Sequence, residues 1–273
     1  MTLTQIVWNP SPVIHLGSME LRWYGVLFAL GFFLAYYILY MVFKKEKVSF
    51  KLLDWLTFYF FLAVLVGARL GHCFFYEWSY YKTHIAEIFM VWQGGLASHG
   101  AAIAIVIVLI IYILQFKVNV WWLFDRVAIV IPIVAAFVRF GNLMNSEIYG
   151  HVTSLPWGFI YLNDKEAGML PRHPTELYEA FTYLFITALL LLLYRKQKGV
   201  IRPGFFVGIF LVIMFCARFL IEFVKEVQMP FEKSMTLDMG QLLSIPFILL
   251  GVFFLIHGVI SDKIPKAPKE EKN

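Results

Sequence analysis

Residues 121–140 read WWLFDRVAIVIPIVAAFVRF, and the chain continues GNLMNSEIYG to residue 150. An almost wholly apolar run of this length matches the ~20 residues a helix needs to cross the hydrocarbon core of a bilayer. The run nevertheless carries Arg139 close to its end. Two further apolar runs repeat the anomaly, with Arg69 in LVGARLGHCF and Arg218 in MFCARFLIEFV. An arginine at mid-helix costs on the order of 3 kcal/mol on insertion scales. A chain that accepts this cost three times is expected to bind something anionic that enters from the lipid or its surface.

Composition supports the membrane reading. The chain is 60% hydrophobic and 15% charged, whereas a soluble domain is nearer half apolar and a quarter charged. The excess is too large for one water-soluble core, so the expected fold class is all-α, a polytopic membrane protein. The first twenty residues lack a basic segment followed by an apolar one, so no cleavable signal peptide is expected. The net charge of +5 is read through topology, since no basic, aromatic-interleaved surface for nucleic acid is visible. Cys73 and Cys216 lie in different apolar runs and are expected to be packing residues.

Seven candidate spans cover roughly 24–43, 55–76, 99–116, 121–140, 177–194, 204–224 and 240–260. Lysine and arginine placement orients them. Lys44, Lys45, Lys47 and Lys51 fall in one connection, Arg195, Lys196, Lys198 and Arg202 in another, and Lys263, Lys266, Lys269 and Lys272 in the tail. Seven spans put all three segments on one side, which is therefore cytoplasmic. The N-terminus is expected in the periplasm and the C-terminus in the cytoplasm. Trp23, Trp55, Trp78, Trp92, Trp121 and Trp122 stand near span ends, as interfacial anchors do. No repeat of fixed period is visible. The expected organisation is one transmembrane catalytic domain over 1–262, with an ordered periplasmic loop at 141–176, and a disordered cytoplasmic tail at 263–273.

Helix rise places Arg69 and Arg218 about 21 Å and Arg139 about 27 Å above the inner ends of their spans. Glu222 comes out near that height, and Tyr24 and His99 open spans that run inward from the outer face. Residues from five helices thus reach the outer half of the membrane, the pattern of a pocket if those helices adjoin. Arg218 and Glu222 are four apart and share a helix face, either as a self-neutralising pair or as part of a ligand site. Arg69 either contacts ligand or snorkels to headgroups. Glu179, in the outer third of the fifth span, is a possible partner for an arginine. Asp125 and Arg126 read as interfacial structure. Arg139 and Asn142 share a face if their helix continues, and Asn142, Asn145 and Glu147 either hold a headgroup or cap the helix and tie down the loop. His72, His99, His151 and His173 show no metal-ligand spacing, and no P-loop or serine-hydrolase motif occurs. Arginine, amide and histidine together suit phosphate binding and activation of a nucleophile.

The stretch RFGNLMNSEIYG, residues 139–150, resembles the signature R-x-G-N-x-x-N-x-E-x-x-G of prolipoprotein diacylglyceryl transferases. RWYG at 22–25, GARLGHCFFY at 67–76, GGLASHG at 94–100, PRHPTELYEA at 171–180, ARFLIEF at 217–223 and GQLLSIP at 240–246 are similar to that family's other landmarks, in order and spacing. The chain departs from the pattern at Val138, where glycine is usual, at His151, where arginine often stands, and at Met214, which replaces a tyrosine.

The resemblance implies an enzyme of the bacterial inner membrane, its site toward the periplasm, needing no metal or cofactor. It implies transfer of the diacylglyceryl group of phosphatidylglycerol to the lipobox cysteine of a prolipoprotein signal peptide, with release of glycerol phosphate. His99, Arg139 and Arg218 are then the expected catalytic residues, with His173 a rival base. Tyr24, Arg69, Asn142, Asn145, Glu147, Gly150, Glu222 and His173 are the expected substrate contacts; Tyr24, and Asp125 outside that set, are carried over by family position alone. A lipid or anion carrier and a non-catalytic lipoprotein-binding scaffold are the alternative classes.

Overall fold

A computed structural model describes residues 5–17, 19–90, 95, 97–227, 235–261 and 264–268. It is dominated by helices: α1 (Trp23–Glu46), α2 (Phe50–Gly71), α3 (Trp78–Tyr81), α4 (Ser98–Phe116), α5 (Val120–Met144), α6 (Thr175–Lys196), α7 (Phe205–Glu222) and α8 (Met239–Ile260). Six of them are long and apolar enough to cross a membrane, and the α4 region contributes a shorter apolar helix, Gly100–Phe116. Helix α2 runs on through a wider π turn at His72–Tyr76, which gives that span 27 residues. Many large apolar side chains stay exposed along these helices, among them Phe33, Phe61, Leu114, Leu192 and Leu249. Lipid rather than water suits such faces, because the backbone polar groups of a helix interior are satisfied within it.

Short strands, absent from the sequence reading, join the helices. β1 (Ile6–Trp8) pairs in parallel with β4 (Phe159–Tyr161), and β2 (Val13–Leu16) forms a hairpin with β3 (Met19–Arg22) that leads directly into α1. Three-residue and four-residue strands leave too little alternation to read in a sequence of this hydrophobicity.

The chain forms two compact units, one of Met1–Leu39 with Phe124–Pro265, the other of Tyr40–Leu123 with Lys266–Asn273. In the first, α7 packs on α8 through Gly208 and Gly251: a methyl group on Gly208 would lie 2.9 Å from the Gly251 carbonyl oxygen. Asp125 of α5 fastens the start of α7, its carboxylate accepting from the backbone N–H groups of Gly204, Phe206 and Val207 at 2.9, 2.9 and 3.1 Å. These are donors that a helix N-terminus otherwise leaves open, and a carboxylate also complements the helix dipole. Asp238 and Gln241 cap α8 reciprocally. The segment after α5 is ordered by main-chain bridges from Gly150 to Lys225 and from Arg172 to Val152 and Phe159. It closes over a small core of Leu143, Phe159, Tyr161 and Ala167, against which Trp8 packs.

In the second unit α2 packs on α4 through small residues: Gly67 and Gly71 meet Gly100, and Gly67 also meets Ala104. Glycine four residues apart on one helix and Gly100 with Ala104 on the other let two backbones approach closely, the usual device where lipid removes any hydrophobic drive between helices. A side chain on Gly100 would run into the Gly67 carbonyl and come 3.0 Å from the Gly71 nitrogen. Gly100→Val is therefore expected to destabilise the protein by at least ~1–3 kcal/mol, since overpacking against backbone has no easy relief. Gly25→Ala, where nothing lies within 4 Å, is the neutral control. Unfolding midpoints in detergent compare the two.

Candidate active site

Helix α5 continues helically past Arg139 to Met144, so Arg139 and Asn142 do share a face. Arg139 Nη1 donates to Asn142 Oδ1 at 3.1 Å, and Asn142 Nδ2 donates to Glu147 Oε1 at 2.8 Å. Asn145 Nδ2 donates to the same oxygen at 3.2 Å. Glu147 thus bears on Arg139 through an amide rather than directly. The turn that brings Glu147 back is tight, with φ of +55° at Ser146 and +66° at Ile148. A β-branched residue at positive φ is strained and persists only where its surroundings fix it. Here Thr175 Oγ1 donates to the Ile148 carbonyl at 2.8 Å. Tyr24 at the start of α1 lies against Gly141, where a methyl group would come 2.7 Å from its ring, and its hydroxyl is within electrostatic reach of Glu147 and Arg139.

Arg139 is held from the other side by an ion pair between its Nε and Glu179 of α6, the arginine partner that the sequence suggested. Glu179 is 1% exposed, and its second oxygen lies 3.5 Å from Lys225 Nζ, which is 3.6 Å from Glu222 Oε2. Glu222 therefore has Lys225 as its ion-pair partner at this distance, while Arg218 acts on it electrostatically from one turn away. Among the described residues Arg218 itself, half-buried in α7, forms no ion pair within 4 Å. The buried Tyr183 hydrogen-bonds Arg139 and is within electrostatic reach of Arg218 as well. Tyr183 of α6 is thus within electrostatic reach of an arginine from α5 and of one from α7.

Gly150 serves the backbone. It donates to the His173 carbonyl at 2.8 Å, and any side chain there would meet the Val224 carbonyl oxygen. His173 Nδ1 lies 3.1 Å from the Tyr178 hydroxyl, which accepts from Trp157 Nε1 at 2.9 Å. The Tyr178 proton is then free to point at His173. Burial, and secondarily His151, lower the His173 pKa below its ordinary value. Glu176, fully buried, accepts from Tyr161 Oη at 3.1 Å, while burial and that carboxylate push the Tyr161 hydroxyl up and keep it protonated. Glu176 Oε1 has no hydrogen-bond partner among the described residues.

The remaining expected residues lie in the other unit. Arg69 is 2% exposed, which excludes snorkelling. Its Nε and Nη2 donate to the carbonyls of Ile88 and Glu87 at 3.0 and 2.5 Å, and its guanidinium lies 5.1 Å from the Tyr81 ring. These contacts give it a part in holding the Ile85–Phe89 turn. His99 occupies the first turn of α4, but its side chain, like Trp92, Gly94 and Leu96, lies outside the described residues. Among the described residues no three histidine, cysteine, aspartate or glutamate side chains gather to hold a metal ion.

The sequence reading missed Lys225, Tyr183 and Glu176. Glu176, Glu179 and Tyr183 are spaced by three and four along α6, one face of a helix, and that spacing is a signal in an otherwise apolar span. Lys225 lies just beyond an apolar run and offers none.

Fold and site define a polytopic membrane protein with arginines and carboxylates interlocked inside its helical spans. The chain belongs to the prolipoprotein diacylglyceryl transferase family, whose model matches residues 11–257. It is similar to the phosphatidylglycerol–prolipoprotein diacylglyceryl transferase of Porphyromonas gingivalis, 43% identical over 268 residues, covering 93% of this chain and 95% of that protein. The proteins of the same name from Tolumonas auensis and Bacteroides fragilis are 41% and 40% identical, over 92% and 93% of this chain and 96% and 95% of theirs.

Glu179→Gln would leave Arg139 and Lys225 buried with one carboxylate fewer, a change expected to cost ~3–5 kcal/mol. Glu147→Gln, at an exposed position, is expected to cost less than ~1 kcal/mol. Unfolding in detergent measures both.

Proposed function

We propose that the chain is a phosphatidylglycerol–prolipoprotein diacylglyceryl transferase and catalyses the first step of bacterial lipoprotein maturation. The diacylglyceryl group of phosphatidylglycerol passes to the lipobox cysteine of a prolipoprotein, and glycerol phosphate leaves. The protein lies in the inner membrane with its N-terminus and site toward the periplasm, a reading supported by the lysine-rich and arginine-rich connections on the opposite side. The observation that carries the proposal is that Tyr183 of α6 lies within electrostatic reach of both Arg139 and Arg218, with no carboxylate in ion-pair range of Arg218 among the described residues.

The chemistry follows from those charges. A cysteine thiol has a pKa near ~8.5, and its thiolate is the nucleophile. A base takes the thiol proton, and the sulfur attacks the glycerol carbon that bears the phosphate. The carbon–oxygen bond breaks, and negative charge grows on the departing phosphate. Arg139 and Arg218, with Asn142, bind that phosphate and stabilise it more strongly as charge develops. Low dielectric strengthens each contact relative to water. His99 is the base in this reading. His173 is the poorer candidate, because burial lowers its basicity and Tyr178 lies at its Nδ1.

Purified protein incubated with radiolabelled phosphatidylglycerol and a lipobox peptide is expected to yield thioether-linked product. Lipid that binds without modification would make the protein a carrier instead. Arg139→Ala and Arg218→Ala are each expected to lower turnover by ~10²-fold or more, the scale of losing one preorganised donor to a developing charge. His99→Gln is expected to abolish turnover while retaining lipid, and His173→Gln to leave the acid limb of the pH–rate profile in place. A His99→Gln enzyme of normal turnover would move the base elsewhere.

A further inference from the structure

Lys225 stands three residues beyond the end of α7 and is 4% exposed. A buried ammonium is costly unless it is paired. Lys225 is paired twice, 3.5 Å from Glu179 on α6 and 3.6 Å from Glu222 on α7. Each carboxylate also acts on one of the two arginines: Glu179 pairs with Arg139, and Glu222 acts electrostatically on Arg218 from one turn away. The lysine backbone is fixed independently. Lys225 bridges to Gly150, with His151 N–H donating to Val224 O at 2.8 Å and Glu226 N–H to Tyr149 O at 3.2 Å. The ammonium therefore joins the end of the 139–150 segment to both carboxylates. Without it Glu179 and Glu222 would repel each other, which would displace Arg139 through its ion pair and change the field in which Arg218 sits.

We propose that Lys225 is a positioning residue for the transfer: its ammonium bridges Glu179 and Glu222 and thereby sets the separation of the Arg139 and Arg218 guanidinium groups that receive the phosphate. The assignment rests on the transferase reading above. Lys225 has both carboxylates as neighbours and acts through them, so its loss lowers turnover rather than lipid affinity.

The test measures kcat and KM for phosphatidylglycerol in detergent, with the folded fraction of each variant taken from its unfolding curve. Lys225→Met is expected to lower kcat ~10–100-fold with a much smaller change in KM, the effect of misplacing groups that act in the transition state. Lys225→Arg, which keeps charge and reach, is expected to recover most of the loss. The double variant Lys225→Met/Glu222→Gln removes one charge of each sign and so guards against a failure to fold. Both changes cut the same bridge, so its kcat is expected to match that of Glu222→Gln alone. Wild-type kcat in Lys225→Met, equal loss in Lys225→Met and Lys225→Arg, a raised KM at constant kcat, or multiplying losses in the double variant would each overturn the proposal. Absence of thioether product from the wild-type enzyme would instead overturn the transferase reading.

Discussion

An arginine placed inside an apolar span needs polar partners to offset its desolvation, and for Arg139 the ion pair with Glu179 is the chief one. Its energetics are those of two desolvated charges, which attract strongly in low dielectric but are each costly to remove from water. The pair gains from company. Asn142 and Tyr183 add hydrogen bonds to the guanidinium, and Lys225 adds a second cation to the carboxylate. Removing any one member leaves a neighbour uncompensated. The network is thus held together for an electrostatic reason, and the proposed phosphate-binding role of its arginines would require donors fixed in this way.

The loop beyond α5 supports that network through its backbone. Gly150 has no side chain because the Val224 carbonyl occupies the space, and this close approach lets Lys225 pair with it in main-chain register. Ile148 accepts a left-handed backbone because Thr175 holds its carbonyl. Asp125 anchors the start of α7, the helix that carries Arg218. Each device fixes one of the elements from which a charged side chain projects into the site. The second unit follows the same economy with fewer charges, since Arg69 binds two carbonyls and the α2 and α4 backbones touch through glycine.

Much of this was legible in the chain itself. The apolar runs announced the helices, because a stretch of ~20 apolar residues has few other stable fates. Arg139, Arg218 and the 139–150 signature were visible because polar residues stand out against such a background, and Glu179 could be named as an arginine partner on its depth alone. The small strands, the π turn after α2 and the role of Arg69 were not legible, since each depends on contacts between segments far apart in sequence.

Of the seven expected spans, six are long and apolar enough to cross a membrane and the one at α4 is shorter. The sequence by itself determined the order of the apolar helices, the family to which they belong, and which ionisable groups had to be reconciled with an apolar setting. Those are local properties: hydropathy, spacing along a helix, and a motif of fixed length. Only the tertiary structure decided who neutralises whom. Glu222 has Lys225 rather than Arg218 in ion-pair range, and Tyr183 is within electrostatic reach of arginines from two different helices. Such pairings depend on the side-chain geometry of packed helices to within an ångström or two, because an ion pair in low dielectric weakens steeply with misplacement, and no local pattern encodes that geometry.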